Sequence, residues 1–529
     1  MVRLSELLDA IEIKQAFNDQ ELNISGISYH SGNVSNGQLF VCVRGYKTDG
    51  HKYLPQAVEN GAVAAIVEEF QEGIDIPQYL VENARIALAR LGDAFYDHPA
   101  KKVKMIGITA TNGKTTTTFM TNAILENHGL KTGMIGTVSV KMDDESIPAD
   151  LTTPESLDLQ YYLKKMVDKG VSHVSMEVSS AAIETHRVET IDYDIVTLNN
   201  ISREHIDFHS SFEQYFEAKS SLIRNASEHS VAILNLDDSY SASLINETKA
   251  QVITFGLESK QGHIYCKNLD LTTGRGRFTV EILKPFEVNG REFVPSEFAV
   301  ELSVPGLHSV YNSMVAITIG LICGVSESTI QKTLSSFVGV ERRFQFIYED
   351  DFKIIDDHFA NAGNINVTLQ TLNYMTYKNL HLVYAIRGDR GPTVNRENAE
   401  MIVEWASKLG LNEVIATKSI SHVTSKDWVS DEEERVFLEV MAEAGIKVNL
   451  YDELSDAISH GLDNVETGDL VLLAGCQGMD FGGEVALLQL HERKPEIPVE
   501  KLFHPLLDRV CGVTKDYKEW VLKETLQKS

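Results

Sequence analysis

Short apolar runs alternate with helical patterns along most of this chain, and this alternation limits its fold more than any other feature. The clearest apolar runs occupy residues 103–109, 193–198, 231–236, 380–386, 413–417 and 470–475. Apolar strands that alternate with helices are typical of parallel sheets covered on both faces. We therefore predict an α/β protein with two series of parallel strands, separated near residue 340.

The chain has 529 residues, which is too long for one hydrophobic core when a domain typically has about 150 residues. A strand, turn, helix and strand pattern before residue 100 indicates a further unit. We predict a smaller N-terminal α/β domain, a central parallel-sheet domain, a C-terminal parallel-sheet domain and a helical extension, which occupy residues 1–100, 101–335, 336–495 and 496–529.

Composition excludes several classes of protein. The formal charge of −28 repels a phosphate backbone, and no basic run carries interleaved aromatics, so we expect no nucleic-acid partner. The five cysteines show no CxxC spacing, which argues against a zinc site or a disulfide framework. No window approaches the roughly 18 apolar residues of a membrane span, and the N-terminus lacks a signal-peptide pattern. We expect a cytoplasmic protein without membrane insertion.

The segment MIGITATNGKTTTT joins a predicted strand to a helix that we expect to start near Lys114. In that context the backbone N–H groups and the helix dipole converge on a phosphate. Lys114 would contact the outer phosphates of a nucleotide and Thr115 a magnesium ion. The usual GxxxxGK[ST] pattern has glycine where this chain has Ile108, but Gly107 and Gly113 flank a loop one residue longer. The alternative is an ordinary turn with a chance GKT.

Two polar side chains follow predicted strands. In SHVSMEVSS the alternation of apolar and polar residues predicts a strand, and Glu177 lies at its end. His205, in NNISREHIDFH, follows the next predicted strand. The carboxyl ends of parallel strands border the ligand crevice of such sheets. The alternatives are a surface glutamate and a structural loop histidine.

A lysine lies on the apolar face of a predicted helix. In FEQYFEAKSSLI the apolar residues form one stripe, and Lys219 falls within it. Burial of an ammonium group costs several kcal/mol, roughly the range for unpaired ions, so the nitrogen is either carried to solvent by its stem or neutralised. A neutral amine can take up carbon dioxide and become a carbamate, whose oxygens suit magnesium.

Taken in order, these motifs resemble the Mur ligase family, and most closely its members that add the third residue of the peptidoglycan stem. GITATNGKTTTT resembles the family's GxTGTNGKT loop, MEVSSAAIETHRV its MEVSSHAL…RV segment, NNISREHIDFH its TNLTRDHLDYH, and YFEAKSSL the YxxAKxxLF that carries a carbamylated lysine. The resemblance covers roughly residues 25 to 480. It implies a UDP-substrate-binding N-terminal domain, a central P-loop ATPase domain and a C-terminal Rossmann-like ligase domain.

The resemblance also implies roles for individual residues. Catalytic roles fall on Lys114, Lys219 and His205. The implied ATP contacts are Gly107, Thr111, Asn112, Gly113, Lys114, Thr115, Thr116, Asn312, Arg343 and Asp356. The implied substrate contacts are Ser31, Thr152, Thr153, Ser179 and Arg187. The implied Mg²⁺ ligands are Thr115, Glu177, His205 and carbamylated Lys219.

The third predicted domain departs from the family pattern at two places. ATKSISHVTS stands where the members that add diaminopimelate have DNPR, and AGCQGMD stands where they have GKGHE. An arginine that would read a second carboxylate is therefore missing at the matching position. The resemblance does not identify the amino acid that is added.

The function implied by the resemblance is that of an ATP-dependent, ADP-forming amide ligase in peptidoglycan precursor synthesis. Such a ligase adds an amino acid to UDP-N-acetylmuramoyl-L-alanyl-D-glutamate through an acyl phosphate. We expect a monomer whose partners are the UDP-linked muramoyl peptide and the amino acid. Two alternatives stay open: a Mur-type ligase that uses a different carboxylate acceptor, and an inactive nucleotide-binding relative.

Overall fold

The computed structural model describes residues 1–45, 48–202, 211–272, 274–507 and 509–528, with side chains as far as residue 523. The chain forms two compact units. The first comprises Met1–Lys114 and Leu125–Phe255, and the second comprises Thr115–Ile124 and Gly256–Ser529. The domain boundaries near residues 100, 335 and 495 stay predictions.

The N-terminal hundred residues of the first unit contain a small, mostly parallel sheet. Its order is β2-β7-β6-β5-β4, with β2 antiparallel to its neighbour and the other pairs parallel. The strands in this region are β1 (Val2–Arg3), β2 (Gln15–Phe17), β3 (Asn23–Ile24), β4 (Gly26–Ser28), β5 (Gln38–Val41), β6 (Ala62–Val67) and β7 (Gln78–Leu80). The helices are α1 (Leu4–Leu8), α2 (Leu54–Glu59) and α3 (Ala84–Phe95).

The rest of the first unit is built on a larger sheet with the order β11-β10-β9-β12-β8-β13-β14-β15. Its strands are β8 (Lys104–Thr109), β9 (Thr132–Ile135), β10 (Ser139–Met142), β11 (Glu145–Pro148), β12 (His173–Glu177), β13 (Ile195–Leu198), β14 (Val231–Asn235) and β15 (Gln251–Gly256). The helices along this stretch of chain are α4 (Lys114–Asn127), α5 (Ser156–Asp168), α6 (Ser180–Glu184), α7 (Phe212–Arg224) and α8 (Ser239–Ser243).

The central strand β8 pairs in parallel with both β12 and β13. Every residue of β12, β13 and β14 is buried, as expected for strands covered on both faces. The alternation read in β12 therefore separates two buried faces rather than a buried and an exposed one. Because neighbouring strands are parallel, the residues after β8, β12 and β13 meet at one edge of the sheet.

The second unit contains an antiparallel group with the order β16-β17-β20, a short hairpin of β18 and β19, and a C-terminal sheet. The strands of the first two are β16 (Ile264–Asp270), β17 (Arg275–Ile282), β18 (Phe286–Val288), β19 (Arg291–Phe293) and β20 (Ser296–Pro305). They are followed by the helices α9 (Leu307–Ile322) and α10 (Glu327–Ser336).

The C-terminal sheet has the order β21-β22-β26-β23-β24-β25, with only the edge strand β21 antiparallel to its neighbour. Its strands are β21 (Gln345–Glu349), β22 (Lys353–Asp357), β23 (Leu380–Ala385), β24 (Glu413–Thr417), β25 (Lys447–Tyr451) and β26 (Leu470–Ala474). The helices are α11 (Ala362–Tyr374), α12 (Gly391–Leu409), α13 (Asp431–Glu443), α14 (Leu454–Asp463), α15 (Gly482–Arg493), α16 (Val499–Leu507) and α17 (Lys515–Lys528).

The six apolar runs all form strands, namely β8, β13, β14, β23, β24 and β26, so the α/β prediction is confirmed. The extension is helical as predicted, but it is not an isolated appendage. Leu502 and Phe503 of α16 and Tyr517 of α17 are buried in the same apolar core as Leu473 of β26. In the part of the chain that the structure describes, no helix is both long enough and apolar enough to cross a membrane.

Candidate functional site

The loop between β8 and α4 has the geometry that its sequence predicts. Strand β8 ends at Thr109, and α4 begins at Lys114. Gly113 has a φ of +89°, a conformation that favours glycine, whereas Ala110 is not among the described residues with positive φ. The alanine is therefore compatible with the loop. Gly107 lies within β8, where a Cβ would come to 2.8 Å from the Tyr193 ring, so this glycine is needed for packing.

Lys114 lies folded over its own loop. Its Nζ donates to the carbonyl oxygens of Ala110, at 2.8 Å, and Thr111, at 3.1 Å. Thr115 and Thr116 lie in the first turn of α4, and Thr115 is buried. The ammonium and the helix N-terminus are thus held at the same end of β8, as a phosphate-binding loop requires.

Asn200 holds this loop from the neighbouring strand, and sequence reasoning missed it. Its backbone carbonyl accepts from the N–H of Thr111, and its side chain exchanges two hydrogen bonds with the backbone of Asn112, all at 2.9 Å. Asn200 stands in NNISREHIDFH, the motif that drew attention to His205. The only signal was its place directly after an apolar strand.

Lys219 is buried against the same loop. Its side chain is 1% exposed, and its Nζ donates to the Ala110 carbonyl at 2.9 Å and to the Thr109 hydroxyl at 3.2 Å. The ammonium also lies 5.1 Å from the centre of the Tyr215 ring. Of the two alternatives for this lysine, the structure excludes the one in which the stem carries the nitrogen to solvent. The Ala110 carbonyl therefore accepts from both Lys114 and Lys219.

Glu177 ends β12, beside the end of β8, and is completely buried. Its two carboxylate oxygens accept from the backbone N–H of Thr137, at 2.8 Å, and from the Thr137 hydroxyl, at 3.0 Å. A Cβ at Gly136 would collide with Oε1, so this glycine leaves the room that the carboxylate occupies. The alternative of a surface glutamate is excluded.

Three candidate substrate residues lie around Glu177. The Thr153 hydroxyl donates to the Glu177 carbonyl at 2.8 Å and accepts from the Ser179 N–H at 3.1 Å. The Thr152 hydroxyl lies 3.1 Å from the hydroxyl of Thr137. The structure therefore brings together side chains that are far apart in the sequence.

Arg187 joins this group through charge and hydrogen bonding. Its Nη1 donates to the Thr153 carbonyl at 3.0 Å, and its Nη2 pairs with Glu155 at 2.9 Å. Glu155 also lies 3.6 Å from the guanidinium of Arg85. Among the described residues, the buried Nε of Arg187 has no hydrogen-bond partner. A guanidinium with an unused donor is suited to an anionic substrate group.

Ser31 lies in the turn after β4. It is buried, and its hydroxyl donates to Gln56 at 2.8 Å. The nearby Tyr29 hydroxyl donates to Asp158 of α5 at 2.6 Å. Burial is the main cause that raises the pKa of the Asp158 carboxyl.

The remaining candidate ATP contacts lie in the second unit. Asn312 on α9 is 2% exposed, and among the described residues its buried Nδ2 has no hydrogen-bond partner. Asp356 is the last residue but one of β22; it is completely buried and is paired with Arg342, at 3.3 Å, and Arg509, at 2.8 Å. Arg343 precedes β21. Sequence reasoning did not identify Arg342 or Arg509.

Three arginines lie close enough to His358, which follows β22, to affect its protonation. Burial and the charges of Arg343, Arg342 and Arg387 hold the pKa of His358 well below its usual range. Burial raises the pKa of the Cys476 thiol. Both groups are therefore neutral at pH 7, and the charged groups of this region are the guanidinium groups and the carboxyl groups that pair with them, such as Asp356.

The metal prediction is only partly covered by the structure. His205 lies outside the described residues. Within residues 1–45, 48–202, 211–272, 274–507 and 509–523, no group of three or more His, Cys, Asp or Glu side chains is clustered as a metal site. The Mg²⁺ ligand set stays a prediction.

Three domain descriptions match the chain. A "Mur ligase family, catalytic domain" matches residues 23–96, a "Mur ligase middle domain" matches 108–320, and a "Mur ligase, glutamate ligase domain" matches 342–477.

Similar proteins cover most of the chain. The UDP-N-acetylmuramoyl-L-alanyl-D-glutamate--2,6-diaminopimelate ligase of Caldanaerobacter subterraneus subsp. tengcongensis is 33% identical over 483 residues, 90% of this chain and 94% of that protein. The ligase of the same name from Bacillus velezensis is 34% identical over 485 residues, with the same two coverages of 90% and 94%.

Solved structures share the fold at lower identity. MurF from Acinetobacter baumannii has a TM-score of 0.65 and 21% identity, and the match covers 93% of this chain and 99% of that one. The MurF ligase of Thermotoga maritima in complex with ADP has a TM-score of 0.61 and 21% identity, with coverages of 89% and 97%. The likeness to these structures supports the fold assignment, and the similarity to the two ligases supports the family assignment.

Proposed function

Because this chain belongs to the Mur ligase family, we propose that it is an ATP-dependent, ADP-forming ligase that adds an amino acid to UDP-N-acetylmuramoyl-L-alanyl-D-glutamate. One observation carries the proposal. The buried Lys219 and the loop lysine Lys114 both donate to the Ala110 carbonyl, so the residue expected to carry the carbamate lies at the nucleotide loop. This juxtaposition supports phosphoryl-transfer chemistry at the end of β8.

In the proposed reaction, a carboxylate of the UDP-linked peptide attacks the γ-phosphate of ATP and forms an acyl phosphate and ADP. The amine of the incoming amino acid then attacks the acyl carbon, loses a proton and displaces phosphate. Lys114 would exchange its two backbone carbonyl acceptors for phosphate oxygens, so that its charge moves from the loop to the ligand. Positioning and electrostatics supply most of the acceleration in such reactions.

The chemistry of the proposed ligands suits a magnesium ion. Hard cations prefer oxygen ligands, and Thr115 and Glu177 supply oxygens, with room for the Glu177 carboxylate left by Gly136. Carbamylated Lys219 and His205 complete the proposed set. Bound Mg²⁺ would neutralise charge on the transferring phosphoryl group.

Arg187 is the proposed contact of the peptide carboxylate. Its buried Nε is without a partner among the described residues, and Glu155 and the Thr153 carbonyl hold the rest of the guanidinium in place. Thr152, Thr153 and Ser179 would then line the same end of the sheet. Ser31 is the proposed contact of the uridine nucleotide, and Asn312 that of adenine.

The proposal is tested by measuring ADP and phosphate release with ATP, Mg²⁺, UDP-muramoyl-dipeptide and single amino acids. The set should include diaminopimelate, which the relatives' names specify, together with lysine, ornithine and the other standard amino acids. Turnover that depends on one amino acid supports the proposal. The absence of turnover with every amino acid would refute it.

A second candidate function keeps the ligase chemistry and changes the acceptor. It is favoured by the third domain, where ATKSISHVTS and AGCQGMD replace the motifs of the diaminopimelate-adding members. A thermal-shift screen separates the two. Stabilisation by UDP-muramoyl-dipeptide favours the first candidate, whereas stabilisation only by another carboxylate favours the second.

A further inference from the structure

Arg343, the candidate phosphate contact, lies in a segment with unusual backbone geometry. We call residues 341–345 the Arg343 turn. Arg342 and Phe344, on either side of Arg343, have φ values of +54° and +50°. Bulky residues in the left-handed region are strained and persist only where the surroundings hold them. The conformation of the Arg343 turn therefore depends on contacts from outside it.

The C-terminal extension supplies several of these contacts. The backbone N–H groups of Val510 and Cys511 donate to the Glu341 carboxylate at 2.7 and 3.3 Å. The Nε and Nη2 of Arg509 donate to the side-chain oxygen of Gln345 at 3.0 and 2.7 Å. The first and last residues of the Arg343 turn are thus both bound by consecutive residues of the extension.

Arg509 is also linked to Arg342, inside the Arg343 turn, through the buried carboxylate of Asp356. Its side chain is 1% exposed, and Nη2 lies 2.8 Å from Oδ2 of the fully buried Asp356. The other oxygen of Asp356 accepts from Nε of Arg342 at 3.3 Å. The Arg342 N–H in turn donates to Gln345, the acceptor that Arg509 uses, at 3.1 Å. The guanidinium groups of Arg342 and Arg509 therefore share the Asp356 carboxylate, whereas the side-chain oxygen of Gln345 is shared by the Arg509 guanidinium and the Arg342 backbone N–H.

We propose that Arg509 is a positioning residue that holds the Arg343 turn in the geometry needed to bind the nucleotide's phosphate. The inference rests on the proposed ATP-dependent function. Arg509 lies beyond residue 477, where the family's C-terminal domain match ends. The C-terminal extension therefore contributes, through Arg509, to the ATP site that we propose for the C-terminal domain. Loss of Arg509 leaves the buried Asp356 carboxylate with one cation fewer and removes two of the donors to the Gln345 side-chain oxygen, so the strained turn loses part of its support.

The chain offers a matched control within the same extension. Thr514 donates to Glu484 of α15 through its backbone N–H, at 2.6 Å, and its hydroxyl, at 2.9 Å. Thr514→Val removes the hydroxyl bond and loosens the extension without removing any contact to the Arg343 turn. Arg509→Met removes both the Asp356 and the Gln345 contacts while it preserves most of the side-chain volume.

The first measurement is steady-state kinetics of ADP release. Arg509→Met should raise the KM for ATP about tenfold or more, because a small misplacement of a binding group has effects of this size or larger. The KM for the UDP-linked substrate should stay unchanged, and Thr514→Val should leave both constants unchanged. Equal effects of the two variants on both KM values would overturn the proposal.

The second measurement does not need ligase activity. Hydrogen exchange reports the amides of Arg342, Arg343 and Phe344, which donate to Gln345, the Val340 carbonyl and Asp357. These amides should exchange faster in Arg509→Met than in Thr514→Val. If the wild-type chain releases no ADP, the proposed function fails while this comparison still decides whether Arg509 holds the turn. Unchanged exchange in Arg509→Met would refute the positioning role.

Arg509→Lys provides a second variant in case Arg509→Met does not fold. A lysine keeps the charge beside Asp356 but lacks the planar fork that serves Asp356 and Gln345 together. In Arg509→Lys the amides of the Arg343 turn should therefore exchange faster than in the wild type and more slowly than in Arg509→Met. The KM of Arg509→Lys for ATP should rise. Wild-type exchange and wild-type KM in Arg509→Lys would contradict the proposal.

Discussion

Replacement of Lys219 by methionine separates the chemical role of this residue from its structural role. The substitution removes two hydrogen bonds from a buried ammonium, to the Ala110 carbonyl and to the Thr109 hydroxyl. Hydrogen bonds to charged groups contribute about 1.5–3 kcal/mol each. The same substitution also removes the desolvation penalty of the ion, which is of the order of several kcal/mol. The two effects offset each other, so the free energy of unfolding should change by no more than about 2 kcal/mol.

The effect on activity should be much larger. If carbamylated Lys219 holds Mg²⁺ at the phosphoryl group, Lys219→Met should lower kcat by about 10²–10³-fold, the size typical of a lost electrostatic contact to a transition state. The assay is ADP release at saturating substrates, with thermal unfolding measured on the same preparation. Wild-type kcat in a folded Lys219→Met variant would refute the carbamate role.

Lys219→Ala adds a chemical test of the same idea. The truncation leaves a cavity at a fully packed position, so it should cost about 2–5 kcal/mol of stability. That cavity can admit a small carboxylic acid, whose oxygens would replace those of the carbamate. Activity should return in part at high concentrations of formate or acetate, and it should not return with the same concentrations of chloride. Equal recovery with chloride would show that the rescue is a salt effect.

Further predictions concern the loop, the neighbour of Glu177 and the response to pH. Lys114→Met should lower kcat/KM for ATP by at least about 10²-fold, measured by ADP release, because the substitution removes a positive charge that we expect at the phosphates. Gly136→Ala places a Cβ against the Glu177 carboxylate and should raise the Mg²⁺ concentration needed for half-maximal activity; an unchanged Mg²⁺ dependence would argue against Glu177 as a ligand. The pKa of His358 is lower in the folded protein than its value of 6.5 in the unfolded chain. The stability that the neutral imidazole contributes is therefore fully present above pH 6.5 and is lost as the pH falls below that value. In denaturant titrations the free energy of unfolding should fall by about 1 kcal/mol over the first pH unit below this value. His358→Gln should remove that loss, whereas the exposed His229→Gln should retain it.

The local features of the site could be predicted because each has a local cause. The β8 run and the GKT that follows it specify a strand, a loop and a helix N-terminus, and α4 begins at Lys114 as predicted. Lys219 was singled out because a charge within an apolar helical stripe conflicts with the periodicity, and the structure shows that the side chain is buried. Asp356 was read as an ATP contact from its motif, but its pairing with Arg342 and Arg509 could not be foreseen. Asn200 could not be singled out either, since an asparagine after a strand is common.

The sequence by itself determined the alternation of strands and helices, the nucleotide loop, the apolar helix face on which Lys219 lies and the family, because these depend on patterns within a few tens of residues. Only the tertiary structure decided which distant groups meet. Parallel pairing of β8 with β12 and β13 places Glu177 and Asn200 beside the loop. Packing of the C-terminal helices on the sheet brings Arg509 into contact with Asp356, although the two residues are 153 positions apart in the sequence. Such contacts depend on strand order and on the close packing of cores, and neither can be predicted from a local sequence pattern.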